Sequence, residues 1–146
     1  MPTTTATLTL SSSDLLTDNL SLSSTMTLYQ DGTTATGLDE VTYSRHNIPT
    51  GTNFDLIPES AALTEDASYV YISNKSTDVT YYVIVSINDE PIGRLYAGDW
   101  MFMPWDCDLS AAANDSSIEI QAYTGENIIE HALFHNGETL LTAADS

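Results

Sequence analysis

Residues 79–105 read VTYYVIVSINDEPIGRLYAGDWMFMPW. Val79 to Ile87 is nearly continuous in β-branched and aromatic side chains, the composition of a strand buried on both sides, and it predicts a central strand. Asn88-Asp89-Glu90-Pro91 ends that run, because proline lacks the amide donor a ladder needs and Asn and Asp tolerate turn backbone. Ile92 to Tyr96 and Trp100 to Met103 then flank Ala97-Gly98-Asp99, which predicts a bulky hairpin in the core. Successive side chains of a strand point to opposite faces. Trp100, Phe102 and Pro104 therefore share one face, while Met101, Met103 and Trp105 share the other. Both faces are large and apolar, whereas a sandwich standing alone needs only one of them buried. We expect Trp100 and Phe102 to fill the core, and Met101, Met103 and Trp105 to meet a neighbouring subunit. Arg94, with few cationic competitors, is expected to pair with an acid across that contact.

The same punctuation continues outward. Thr25 to Tyr29 alternates and stops at Asp31-Gly32, and Val41 to Arg45 alternates before Asn47-Ile48-Pro49 and Thr50-Gly51. Asn53 to Ile57 is bounded by Pro58, and Tyr69 to Ile72 follows. Ser117 to Tyr123 alternates cleanly, and Gly125-Glu126-Asn127 turns the chain into Ile128 to His135. Asn136-Gly137 is a two-residue turn of the kind that matches strand twist, and it predicts a hairpin with Glu138 to Thr142. Roughly nine or ten short strands at turn spacing argue for a sandwich or barrel. Helical pattern is confined to Glu59–Asp66 and Ala111–Ala113. The expected fold is all-β, an antiparallel β-sandwich with jelly-roll character over residues 26–146.

Residues 1–25, MPTTTATLTLSSSDLLTDNLSLSST, are rich in Thr, Ser and Leu and hold no aromatic side chain. Leu8 with Leu10, and Leu20 with Leu22, alternate with hydroxyl residues at the period of a strand. Ser13 or Asp14 is placed to start one helical turn between them. This segment has too little bulk for a core of its own. It is expected to be an extended arm that fastens to a neighbouring subunit, with Leu8, Leu10, Leu20 and Leu22 at the contact.

Charge narrows the function. Three Lys and Arg stand against 21 Asp and Glu, a formal net charge of −18 over 146 residues. That surface repels phosphate, so neither nucleic acid nor an anionic membrane is an expected partner. The N-terminus has neither the basic nor the apolar region of a secretory leader. Cys107 is the single cysteine, expected to act as a small hydrophobe. His131 and His135 sit four apart, but on a strand that spacing is about 13 Å, too far to share an ion. His46 has no partner by spacing. Asp39-Glu40, Glu65-Asp66, Asp89-Glu90 and Asp106/Asp108 follow no calcium-loop pattern. No phosphate loop, nucleophile elbow or Cys-x-x-Cys pair occurs. Gly98-Asp99 and Pro104 echo the second cupin box, without its histidine. No catalytic residue, metal or cofactor is expected, and the protein is expected not to be an enzyme.

TYSRHNIPTGTNF (42–54), YYVIVSINDEPIGRLYAGDWMFMPW (81–105) and ALFHNGE (132–138) resemble small virion proteins of tailed bacteriophages, particularly marine podoviruses. The similarity spans about Met26 to Glu138 and leaves the arm uncovered. It implies a β-sandwich on the particle surface. The expected role is that of a trimeric decoration or cement protein bound to the major capsid protein. A tail, fibre or head-appendage component is the alternative, and so is a carbohydrate-binding host-recognition module stacking sugar on Trp100 or Trp105.

Overall fold

Among the described residues, runs of alternating side chains bounded by Gly, Pro, Asn or Asp are extended. The structure, a computed structural model, describes residues 3–15, 17–28, 40–57, 68–105 and 117–135. Its strands are β1 (Thr5–Ser12), β2 (Leu20–Thr27), β3 (Glu40–Ile48), β4 (Asn53–Ile57) and β5 (Ser68–Asn74). They continue as β6 (Tyr82–Ile87), β7 (Glu90–Tyr96), β8 (Trp100–Trp105), β9 (Ile118–Thr124) and β10 (Asn127–His135). One four-stranded sheet has the order β3-β10-β5-β8 and a second has the order β4-β9-β6-β7, with every pairing antiparallel. These orders are those of an eight-stranded jelly roll, in which the chain passes repeatedly from one sheet to the other. The Asn136-Gly137 hairpin, the Asp31-Gly32 turn, Cys107 and both helical stretches lie outside the described residues.

The core fills from alternate positions of both sheets. Ile48, Val70, Ile72 and Ile129 from the first sheet meet Val83, Val85, Ile118 and Ile120 from the second, all fully buried. β6 is interior to its sheet, as the run Val79–Ile87 predicts, although the ladder begins only at Tyr82. The delay has a local cause. Asp78 accepts hydrogen bonds from the Thr80 amide at 2.9 Å and the Thr80 hydroxyl at 2.7 Å, holding a turn there. Asn88 and Asp89 have positive φ, 52° and 62°, the backbone that lets a two-residue turn follow strand twist. They close the β6–β7 hairpin.

Ile92 to Trp105 is not a hairpin. β7 and β8 are edge strands of opposite sheets, so Ala97-Gly98-Asp99 is a corner that carries the chain across the sandwich. Hydrogen bonding explains the preference. The Gly98 amide donates to Asn74 O at 2.8 Å, the Asn74 amide to Asp99 O at 2.9 Å, and the Asp99 amide to Tyr96 O at 2.8 Å. The Asp99 carboxylate accepts from the Tyr96 amide at 2.9 Å. Buried Asn74 also donates to Leu95 O at 2.9 Å and to Asn127 Oδ1 at 3.0 Å. These amides tie three crossings between the sheets together, satisfying backbone groups that the sheets leave open. At the β9–β10 crossing, Gly125 has φ +67° and lies against the Tyr81 ring, so a side chain there would collide with it.

The first segment folds back on itself instead of running as a single extended arm. β1 and β2 form a separate antiparallel pair, from Thr5 opposite Thr27 to Ser12 opposite Leu20. β2 runs through residue 25, so the segment ends at Thr27 rather than where the low-complexity sequence ends. At its tip the Ser12 hydroxyl accepts from the Leu15 amide at 3.1 Å and donates to the Asp14 carboxylate at 3.0 Å, a cap-like bond, and among the described residues no helical turn follows it.

Candidate functional site

Strand register sorts the outer face of the first sheet into rows. Val41, Phe134, Tyr69 and Pro104 lie side by side, then Tyr43, Ala132, Tyr71 and Phe102, then Arg45, Glu130, Ser73 and Trp100. Aromatic contacts knit the first two rows: Tyr69 stacks on Phe102 at 5.7 Å between centroids, and Phe134 meets the Phe102 edge at 6.4 Å. Such pairs favour packing beyond the area they bury. Tyr43 is 57% exposed and Trp100 54%. The third row holds this face's carboxylate, Glu130, which accepts a 2.7 Å hydrogen bond from Arg45. Tyr43 and Arg45 beside it hold the Glu130 carboxyl below its usual range. Among the described side chains, the face therefore carries one acid neutralised by one base, in a chain of net charge −18.

The β1–β2 hairpin is two-faced. Its register places Ala6, Leu8 and Leu10 with Leu20, Leu22 and Met26 on one side, beside Ser12 and Ser24. Only Ser and Thr occupy the other side, where Thr7 and Thr25 exchange a 3.1 Å hydrogen bond. Neither strand contains a charged residue. Leu8, Leu10, Leu22 and Met26 are all exposed, and Leu20 is half-buried. The near end of the apolar side, at Ala6, Leu8 and Met26, faces Trp100 and Phe102 across a cleft of about 380 Å³. A two-stranded ribbon is at best marginally stable alone, so its apolar side needs cover.

Trp100 and Trp105 have exchanged the places expected of them. Trp105 is 4% exposed in the core, with Met101 and Met103 packed against it. Trp100, Phe102 and Pro104 form the outer face. The cause lies in the neighbouring strand, because directly paired residues share a face. Met101 pairs with Ile72 and Met103 with Val70, both fully buried on β5. Within the chain, Arg94 lies over the Tyr82 ring at 4.8 Å from the centroid and donates to the Tyr96 hydroxyl at 3.4 Å. Among the described residues the ion pair belongs to Arg45, not to Arg94. Tyr96 and Tyr123 also pack on Tyr82, at 5.0 and 5.9 Å, which gives the second sheet's outer face an aromatic cluster of its own.

The histidines meet in a way that spacing does not reveal. Pairing of β3 with β10 brings His46 and His131 into a parallel stack, 5.2 Å apart and 11° between planes, with Phe54 4.9 Å from His46. Burial, and secondarily His46, pushes the His131 pKa down to about 4. His46 Nε2 and His131 Nδ1 are buried without a hydrogen-bond partner among the described residues. No group of three or more His, Cys, Asp or Glu among the described residues is arranged to hold a metal ion. Chemically, burial makes His131 resist protonation inside the sandwich. The side chain of His135 lies outside the described set. No protein-family model and no curated protein sequence matches the chain.

Proposed function

We propose that the protein is a structural component of a bacteriophage virion, a decoration protein that binds the major capsid protein on the outer surface of the shell, most simply as a trimer. One observation carries this reading: apolar, charge-neutral surface is gathered on the outer face of the first sheet and on one side of the hairpin, within a chain of net charge −18. Such segregation suits a protein that acts by burying area against partners. Contacts of standard size, about 1,600 Å² each, add up to large stabilisation when repeated over a shell. The acidic remainder keeps decorated particles mutually repelling within a screening length of about 8 Å. The resemblance of residues 42–54, 81–105 and 132–138 to small virion proteins supports the same reading.

The test is the protein's copy number in purified particles, measured by quantitative mass spectrometry against the major capsid protein. A ratio near that of the shell subunits is expected, with loss of the protein lowering the temperature at which shells rupture. A ratio fit only for a single vertex or tail would favour an appendage. The cluster of Tyr82, Tyr96 and Tyr123, with the Gln121 amide 3.3 Å from the Tyr123 hydroxyl, favours a second reading, recognition of a surface glycan. Saccharide binding that disappears in Tyr123→Ser would support it.

A further inference from the structure

We infer that the outer face of the first sheet in one copy is covered by the apolar side of the β1–β2 hairpin of a second copy, each copy giving one hairpin and receiving one. The inference stands apart from the decoration reading, since it concerns the protein with itself. Charge selects the partner. Two chains of net charge −18 repel unless they meet where carboxylates are absent or neutralised. The hairpin strands contain no charged residue, and Arg45 neutralises Glu130 on the sheet. Among the described residues, the chain thus supplies both halves of a contact without an unpaired acid.

Shape supports the same pairing. Within one chain the near end of the hairpin already faces Trp100 and Phe102, but a cleft of about 380 Å³ remains between them. Leu10 and Leu22, farther along, stay 47% and 53% exposed, and Val41 and Tyr43 across the sheet stay open as well. The intrachain contact therefore leaves the far end of the hairpin and, on the sheet, Val41, Tyr43 and Trp100 uncovered, while Tyr69, Tyr71, Phe102 and Phe134 are half-buried. A strand pair of eight residues is roughly 26 Å long and 10 Å wide, so one hairpin laid on a sheet removes on the order of 500 Å² from water. Two such contacts reach the roughly 1,000 Å² that a specific association needs, and one does not. Reciprocal exchange meets that requirement, whether as a two-fold pair or as a closed ring in which every copy gives and receives.

The experiment uses the full chain in a Cys107→Ser background. One preparation carries Leu22→Cys and another carries Tyr43→Cys. Both positions are exposed, so neither change threatens the fold. The two are mixed and treated with a short thiol-to-thiol cross-linker, alongside analytical ultracentrifugation of the unmodified protein. The expected result is a sedimenting species of at least two chains, with a cross-linked product joining one Leu22→Cys chain to one Tyr43→Cys chain. Leu10→Asp should abolish both. A monomeric protein would overturn the proposal, and so would an oligomer that gives no mixed product. A chain carrying both cysteines that closes only within itself would overturn it too, assigning the hairpin to its own sheet.

Discussion

The outer faces of the two sheets arise from the same antiparallel alternation and are chemically different. The first presents Val41, Tyr43, Tyr69, Phe102, Phe134 and Trp100, with its acid paired to Arg45. The second is amphiphilic. Gln121, Asn53 and Arg94 share a row with Ile84, and Asp55 and Glu119 share the next with Ser86. Glu119 is pushed up, first by desolvation and then by neighbouring Asp89, so acids crowd one end of that face. Its tyrosines stack on one another and on Arg94. Water can solvate the second face as it stands, whereas the first resembles the interior of an interface. Sheet order is therefore not what separates them; among the described residues, the first face is apolar with its acid paired, and the second carries unpaired acids among its polar side chains.

Substituting the two tryptophans of β8 separates inside from outside with the largest effect. Trp105→Ala, in the core, should cost about 3–5 kcal/mol of folding stability by denaturant titration. A small loss would mean that the inward and outward sides of the first sheet are assigned the wrong way round. Trp100→Asp should leave the folding of each subunit nearly unchanged and weaken self-association by about 2 kcal/mol, roughly 30-fold in the dissociation constant. Sedimentation equilibrium reads that shift directly.

Buried His131 predicts a pH dependence of comparable or smaller size. His131 titrates near 4 in the folded chain against an ordinary 6.5. Its contribution to stability is thus complete above pH 6.5, declines as pH falls towards 4, and changes no further below that. After solvent screening the loss should be about 2 kcal/mol. Glu119, whose pKa is raised, acts in the opposite sense, so the informative quantity is the difference between the protein and His131→Leu. That difference should grow in favour of His131→Leu as the solution is acidified, and parallel stability curves would refute it. The smallest effect belongs to the second sheet. Arg94→Ala should leave folding and association almost unchanged, as for most surface substitutions. A large loss of association would move the interface to that side.

Much of the fold was legible because alternation and turn residues are local signals. β6 (Tyr82–Ile87) lies inside the run Val79–Ile87, β9 (Ile118–Thr124) falls within a residue of Ser117–Tyr123, and the expected break after Ile87 narrows to Asn88-Asp89, with Glu90 and Pro91 already in β7. The inward side of β8 was not legible. Period two tells which residues share a face, but only the pairing of Met101 with Ile72 and Met103 with Val70 tells which face is the core. Methionine, unbranched and adaptable, fills a core as readily as tryptophan does. The Ala97-Gly98-Asp99 corner misled for a related reason. A short turn between two strands looks the same whether the strands pair or pass to opposite sheets, and the decision rests on Asn74, more than 20 residues earlier. The aromatic rows went unseen because Tyr43, Tyr69 and Phe134 come from three distant strands, each carrying one or two of them. The His46–His131 stack was hidden for the same reason.

The central claim is that Trp100 and the aromatic rows beside it are covered by another chain. In a Trp105→Phe background Trp100 is the only tryptophan, and its fluorescence reports that face alone. Quenching by acrylamide, followed from dilute to concentrated protein, measures its cover directly. The account predicts full quenching of the dilute, dissociated chain and a marked loss of quenching with a blue-shifted emission as the protein associates. Trp100 that remains equally quenchable at every concentration would contradict it.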